Sequence, residues 1–153
     1  MKPTSGKNIQ QGVTYLKDRK FAEAVSEFNL AIKLDPKNPT IRLNLGVAYQ
    51  GLGEMRKAHE SFGNAIALDP DNHIAYTIRG SIAQEHKEYG NAIRDFSKAI
   101  RLKPDYAIAY VHRGQSYAQI GDKRNAVADL EKALRLKPDF DLAKEELQKL
   151  REG

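Results

Sequence analysis

Four histidines are the side chains in this sequence best suited to metal binding or acid–base chemistry: His59, His73, His86 and His112. Imidazole binds zinc and titrates near neutral pH, so histidines at ligand spacing with an acidic neighbour would indicate a site. Neither an H-E-x-x-H pattern nor a glycine-rich phosphate loop or dinucleotide fingerprint occurs. We therefore expect no catalytic residue, no metal and no cofactor, and the chain is predicted not to be an enzyme.

Two further groups of residues have a simpler structural interpretation. The run Asp69-Pro70-Asp71-Asn72 resembles the start of a calcium loop, but Ile74 and Gly80 stand where such a loop needs a glycine and an acid. It is predicted to form a turn and a helix cap. His59 shares a column with three apolar residues and is predicted to be a partly buried packing residue; that column contains Val25, Ile93 and Val127.

The composition is typical of a single soluble domain. Of 153 residues, 25 are Lys or Arg and 20 are Asp or Glu, which gives a net charge of +5. The two signs are interspersed, so we expect no nucleic-acid partner. There are no cysteines, no apolar run of about 18 residues and no signal-peptide core near the first residue. Membrane insertion is therefore not expected, and the predicted location is cytoplasmic.

The chain repeats with a period of 34 residues, which is the strongest pattern in it. A period of this size predicts stacked copies of one supersecondary unit. The columns that keep the period are Gly12, Gly46, Gly80 and Gly114; Ala24, Ala58, Ala92 and Ala126; Ala31, Ala65, Ala99 and Ala133; Leu34, Leu68, Leu102 and Leu136; and Pro36, Pro70, Pro104 and Pro138.

Each repeat contains two apolar stripes at helical spacing, separated by a tight turn and ended by proline. The pattern predicts helices over 5–18, 21–34, 39–52, 55–68, 73–86, 89–102, 107–120 and 123–136, and a ninth from about 141 to 151. The ninth carries Leu142, Ala143, Leu147 and Leu150 on one stripe and is predicted to cap the last repeat. No such cap precedes repeat one, where Ile9, Val13 and Leu16 form an apolar stripe. That stripe is either part of a groove or the cut face of a longer array.

Several turn and packing details follow from residue type. Gly53 and Gly121 suit a left-handed residue between helices, whereas Arg19 and Lys87 would adopt it at a cost of about 1–2 kcal/mol, so turns one and three could be built differently. We expect the column glycines to allow close approach of the second-helix alanines. The predicted helix caps are Asn38, Asn72 and Asp105, with Pro39 as a first helical residue, and the predicted core fillers are Tyr15, Tyr49, Tyr117, Phe28, Phe62, Phe96 and Leu130.

These columns resemble the tetratricopeptide repeat, most fully in the second copy, with Leu45-Gly46, Tyr49, Gly53, Ala58, Phe62, Ala65 and Pro70. Copy three departs at Ala83, where the family has a tyrosine. The resemblance implies an all-α, right-handed superhelical solenoid of four helix hairpins, whose first helices line a concave groove. The expected organisation is an N-terminal tail (1–4), four repeats over 5–138 (approximately 5–38, 39–72, 73–106 and 107–140), and a capping helix (139–153).

The outward positions of the first helices are then the candidate partner-binding residues. They are mostly apolar and amide side chains, which suit a neutral, partly apolar peptide or helix. Replacing Asn44 and His112 by alanine is expected to weaken binding with little change in melting. The full set is Ile9, Val13, Leu43, Asn44, Val47, Gln50, Ile74, Thr77, Ile78, Ser81, Gln84, Ile108, Val111, His112, Gln115 and Gln119.

The family's carboxylate clamp for acidic chaperone tails does not fit these positions. Its two lysines, two asparagines and one arginine would fall, in repeats one to three, on Ile9, Ile74, Val13, Asn44 and Ile78, of which only Asn44 matches. The window over repeats two to four gives no match, with Leu43, Ile108, Val47, Ile78 and His112.

Two functions remain open. The first is a non-catalytic adaptor or scaffold that binds a peptide or helix of a partner protein in its groove. The second is a structural assembly element that self-associates through the uncovered first repeat, as a homo-oligomer or as part of a longer array.

Overall fold

The computed structural model describes residues 4–153, which form nine α-helices and no strand. The chain divides into two compact units, Met1–Asp71 and Asn72–Gly153. The predicted N-terminal tail lies outside the described residues except for Thr4. Within residues 4–153, no helix has the length and apolar character that crossing a membrane requires.

The helices begin at the predicted residues and end within one residue of the predicted ends. Unit one contains α1 (Ser5–Lys17), α2 (Phe21–Leu34), α3 (Pro39–Gly51) and α4 (Met55–Leu68). Unit two contains α5 (His73–Glu85), α6 (Tyr89–Leu102), α7 (Ala107–Gln119), α8 (Lys123–Leu136) and α9 (Asp141–Glu152). In both units consecutive helices pair as hairpins, and in unit two α9 packs on α8 and α7.

Two of the three predicted helix caps are confirmed. The Asn38 side chain accepts a hydrogen bond from the Thr40 N–H at 3.0 Å, and Asn72 accepts one from Ala75 at 3.1 Å. The prediction for Asp105 is wrong, because the residue that directly precedes α7 is Tyr106, and α7 has no side-chain cap. Instead Asp122 caps α8.

All four turns within hairpins have the same construction, so the expectation that turns one and three could differ is wrong. The left-handed residues are Arg19 (φ 58°), Gly53 (75°), Lys87 (61°) and Gly121 (81°). In each turn the next backbone N–H donates to the carbonyl five residues back, as in Lys20 to Tyr15 at 2.8 Å. These bonds satisfy carbonyls at the helix end, and they hold Arg19 and Lys87 in the strained conformation.

The column glycines face mainly the large residue of the second helix, whereas the sequence suggested its alanines; Gly114 also meets an alanine, at the Ala126 carbonyl. A Cβ atom built on Gly12, Gly46 or Gly80 would lie under 3.0 Å from that side chain, which is too close, and one built on Gly114 would make a tight contact. The nearest distances are 2.6 Å from Gly12 to Phe28, 2.6 Å from Gly46 to Phe62, 2.9 Å from Gly80 to Phe96 and 3.1 Å from Gly114 to Leu130. All four of these large side chains are fully buried, which confirms them as core fillers.

The ninth helix covers the last hairpin as predicted. Ala143 and Leu147 are buried in the unit-two core beside Leu130, and Leu142 and Leu150 pack against the same cluster. The stripe of apolar residues on α9 therefore closes the core of repeat four.

Unit two also contains two partly buried ion pairs, each with a buried aspartate, that the sequence interpretation missed. Arg79 and Asp95 form two hydrogen bonds of 2.7 Å each, and Arg113 and Asp129 do the same. Within each repeat the arginine directly precedes the column glycine, and the aspartate directly precedes the large core residue. The repeat register was the signal, because both pairs lie at the same positions of repeats three and four.

Candidate functional site

In unit one the predicted binding residues lie on α1 and α3, which are in contact with each other. Ile9 and Val13 are half-buried against the unit-one core. The α3 residues are also half-buried. The α3 set is Leu43, Asn44, Val47 and Gln50.

In unit two the predicted residues separate into a surface group and a core group. Ile74 is 42% exposed, whereas Thr77 and Val111 are only 7% and 0% exposed. Thr77 turns its hydroxyl to the His73 carbonyl at 2.8 Å, and Val111 packs with Leu130. The placement of Thr77 and Val111 on an outward surface was therefore wrong. The surface group is Ile74, Ile78, Ser81, Gln84, Ile108, His112, Gln115 and Gln119.

Three of the predicted glutamines meet around one cavity of about 540 Å³ in unit two, which we call the amide cavity. Gln84, Gln115 and Gln119 line it from α5 and α7. Gln84 Nε2 donates to the His112 carbonyl at 3.3 Å, which holds this side chain across the two helices. The Tyr89 hydroxyl donates to Gln119 Oε1 at 3.5 Å. The Gln115 and Gln119 amides carry both donors and acceptors, the two functions that a peptide backbone requires.

Five further residues of the amide cavity were not predicted. Glu85 and Tyr89 lie where α5 meets α6, Ala118 is on α7, and Glu146 and Lys149 belong to α9. Lys149 Nζ lies 2.9 Å from Glu146 Oε1, and this bond raises the Lys149 pKa. Because α9 is outside the repeat register, the periodic pattern could not select its residues. Their only signal was the polar side of an otherwise apolar-striped helix.

His112 belongs to the surface group but is also a packing residue. Its ring stacks on the buried Phe96 ring with centroids 5.6 Å apart. Burial lowers the pKa of His112, an effect that Gln115 partly opposes. Its Nδ1 is buried and has no hydrogen-bond partner within residues 4–153. Replacing this ring is therefore expected to destabilise unit two, in contrast to the expectation from sequence.

The remaining candidate chemical groups have structural positions. His59 is exposed, so its prediction as a partly buried packing residue is wrong. The backbone N–H of Asp71 donates to Asp69 Oδ1 at 3.3 Å, which makes this run a turn. Within residues 4–153, no cluster of three histidine or acidic side chains is placed to hold a metal ion.

Comparison with family models matches two descriptions, "TPR repeat" and "Tetratricopeptide repeat". The first matches residues 12–53 and 80–121, and the second matches residues 39–72 and 107–140. Together they cover most of the chain. No curated protein sequence matches significantly.

Several solved structures resemble the chain over most of its length. The MamA crystal structure is 30% identical, with a TM-score of 0.88 over 99% of this chain and 83% of MamA. PilF of Pseudomonas aeruginosa is 25% identical, with a TM-score of 0.88 over 95% of this chain and 67% of PilF. The first TPR of Spaghetti (RPAP3), bound to the HSP90 peptide SRMEEVD, is 26% identical, with a TM-score of 0.73 over 77% of this chain and 94% of that structure.

Proposed function

The chain belongs to the tetratricopeptide repeat family, and on that premise we propose that it is a non-catalytic protein-interaction module that binds a peptide or helix of a partner protein. The observation that carries the proposal is the amide cavity of unit two. One structural relative, Spaghetti (RPAP3), is bound to a peptide, which supports a peptide as the class of ligand.

The surface groups favour a neutral, partly apolar segment over an acidic tail. Ile74 is exposed, and Ile78 and Ile108 are half-buried, so a bound apolar side chain would remove part of their surface from water. Gln115 and Gln119 supply hydrogen bonds to a peptide backbone. In this cavity the one cation, Lys149, is already paired with Glu146, which leaves little positive charge for an acidic ligand.

A random-peptide display library selected on the full chain tests this proposal. Peptides that it yields would be measured by isothermal titration calorimetry against the wild type and a Gln115→Ala/Gln119→Ala variant. We expect the variant to bind at least about tenfold more weakly, equivalent to about 1.4 kcal/mol, with unchanged melting. Asn91→Ala removes an exposed amide from α6 and should bind like the wild type. Equal binding by the Gln115/Gln119 variant would show that the peptide binds elsewhere.

The alternative is self-association through repeat one. Ile9, Val13 and Leu16 pack against the unit-one core but stay only half-buried, so part of this apolar surface remains open. Sedimentation velocity at increasing protein concentration separates the two functions. A concentration-dependent dimer that Leu16→Glu abolishes supports the assembly function. A monomer at every concentration contradicts it and supports the adaptor function.

A further inference from the structure

A second cavity, of about 270 Å³, lies in unit one and is separate from the predicted binding face; we call it the side cavity. Its lining includes Arg42, Leu45 and Tyr49 of α3 and Ser61 and Asn64 of α4. At about 100° of rotation per helical residue, the three α3 residues point to the side of the helix opposite Leu43 and Val47. A ligand in the side cavity would therefore not occupy the predicted groove residues.

The repeat register shows what this position holds in unit two. Leu45 corresponds to Arg79 and Arg113, and Ser61 corresponds to Asp95 and Asp129. In unit two the corresponding positions thus hold an arginine with a carboxylate in bidentate contact, at 2.7 Å for each bond. In repeat two a leucine and a serine replace that pair. The side cavity is found where the carboxylate is missing.

Repeat two nevertheless brings a guanidinium to this place from another position. Arg42 stands where repeats three and four have Tyr76 and Tyr110. Its Nε is buried and has no hydrogen-bond partner within the described part of the chain. A buried N–H without an acceptor costs about 1–3 kcal/mol, more for a charged group, so an added acceptor would be favourable.

Other charged and polar residues line the side cavity together with Arg42. Lys57 pairs with Glu54 and lies 5.4 Å from the Tyr49 ring centroid, so its charge is partly neutralised. Glu60 also lines the cavity and adds one carboxylate to it. Ser61 and Asn64 add a hydroxyl and an amide that can donate hydrogen bonds. The lining therefore holds the Arg42 guanidinium, one carboxylate and two neutral donors, and Arg42 Nε has no acceptor within the described residues.

We propose that the side cavity is a carboxylate-binding site, in which a ligand supplies to Arg42 the acceptor that Asp95 and Asp129 supply internally in unit two. A planar carboxylate matches the guanidinium fork, and the two neighbouring donors would bind its outer lone pairs. The carboxylate comes either from a small organic acid or from an acidic side chain of a bound protein. This site is independent of the peptide-binding function proposed above.

Titration of the ¹⁵N-labelled full chain with sodium acetate, against sodium chloride at equal ionic strength, tests the proposal by NMR. We expect saturable shifts at the Arg42 Nε–H and at the Ser61 and Asn64 backbone amides with acetate only. Arg42→Gln should weaken binding at least about tenfold, because the charge-assisted bonds are lost. Arg56→Gln removes an equal charge from an exposed site of α4 and should bind acetate like the wild type.

A second variant, which keeps Arg42, tests the proposal even if Arg42→Gln disturbs folding. Ser61→Asp restores an internal carboxylate, so it should abolish acetate shifts and raise the melting temperature. Glu60→Gln should tighten acetate binding by removing a repelling charge. Equal shifts with chloride, tighter binding of sulfate than of acetate, or unchanged binding by Ser61→Asp would overturn the carboxylate site.

Two short peptides assign the source of the carboxylate. Acetyl-Gly-Glu-Gly-amide and acetyl-Gly-Gln-Gly-amide differ only in the carboxylate. Stronger binding of the glutamate peptide than of acetate supports an acidic side chain as the ligand. Weaker binding than acetate, with acetate still saturating, supports a small organic acid. Absence of saturation by both carboxylates contradicts the proposal.

Discussion

Arg113 and Asp129 are joined by two parallel hydrogen bonds of 2.7 Å each, from Nε and Nη2 of the guanidinium to the two carboxylate oxygens. The Asp129 side chain is only 8% exposed, and Arg113 Nη1 also donates to Ser97 at 3.0 Å. The guanidinium lies 5.8 Å from the ring centroids of both Tyr110 and Tyr117. The Asp129 hydrogen bonds hold the Arg113 pKa above its ordinary value.

Removing one partner of this pair should therefore be costly. We expect Arg113→Met to lower the free energy of unfolding by about 3–5 kcal/mol, because Asp129 is left buried without a cation. The double variant Arg113→Met/Asp129→Leu should lose less free energy of unfolding than the sum of the losses in the two single variants, as measured by urea denaturation. The exposed pair of Arg151 and Glu131, 3.2 Å apart, is the matched control and should show a coupling of about 0.2–1 kcal/mol. Equal coupling in the two cycles would contradict a special role for burial.

The contact between Gly46 and Phe62 predicts opposite effects for two glycine-to-alanine changes. A Cβ on Gly46 would lie 2.6 Å from Phe62 Cε1, and the fully buried ring has no space to retreat. We expect Gly46→Ala to destabilise unit one by about 1–3 kcal/mol through overpacking. Gly63, inside α4, has no atom within 4 Å of such a Cβ, so Gly63→Ala should stabilise by about 0.5–1 kcal/mol. Thermal and urea unfolding of both variants measure this, and a stabilised Gly46→Ala would show that the ring can move.

The lowered pKa of His112 predicts a loss of stability in mild acid. The unfolded chain takes up a proton at this histidine as the pH falls through about 6.5, whereas the folded chain does so only at lower pH. Stability from this group is thus fully present above the unfolded pKa and is lost as the pH falls to the folded pKa. The free energy of unfolding of wild type should drop as the pH falls below about 6.5.

A His112→Asn variant isolates this contribution. It should show a smaller drop over the same pH range, whereas His59→Asn, at an exposed site, should keep the wild-type drop. His73 adds a loss of the same sign in every variant, because burial and Lys103 lower its pKa. An identical pH dependence in wild type and His112→Asn would contradict the prediction.

The left-handed Lys87 predicts that glycine is better at its position. Relief of the backbone strain is worth about 1–2 kcal/mol, and the greater entropy of unfolded glycine offsets about half of this. Lys87→Gly should therefore raise the free energy of unfolding by about 0.5–1 kcal/mol. The reverse change, Gly121→Lys, should lower it by about the same amount, since no atom lies within 4 Å of a Cβ there. Chemical denaturation of both variants gives the sign, and a destabilised Lys87→Gly would show that the side chain contributes more than the strain.

The sequence predicted the role of a residue best where that residue contacts only neighbours in its own repeat. Pro39, Asn72 and Phe62 act on neighbours within the 34-residue pattern, and their roles are confirmed. Asp105 was predicted as a cap from residue type alone, but Tyr106 occupies the N-cap position of α7 and no side chain caps this helix. Residue type does not decide which of two neighbouring residues occupies the N-cap position.

The candidate site was less predictable because it needs more than one helix. Val111 and Gln115 both lie on α7, yet only the packing of α8 and α9 makes the first a core residue. Lys149 enters the amide cavity from a helix that no repeat resembles. The apolar pattern of one helix predicts the direction in which each side chain points around the helix axis. The burial of that side chain depends on which other helices pack against it.

The contact between Phe62 and Gly46 has a consequence for the transfer of binding residues from one protein to another. In each hairpin the column glycine of the first helix contacts the large core residue of the second helix. The side chains on the outer side of the first helix take no part in this contact. We therefore expect that Asn44, Gln50, Gln115 and Gln119 can be replaced by the binding residues of another protein without changing the core contact of the hairpin.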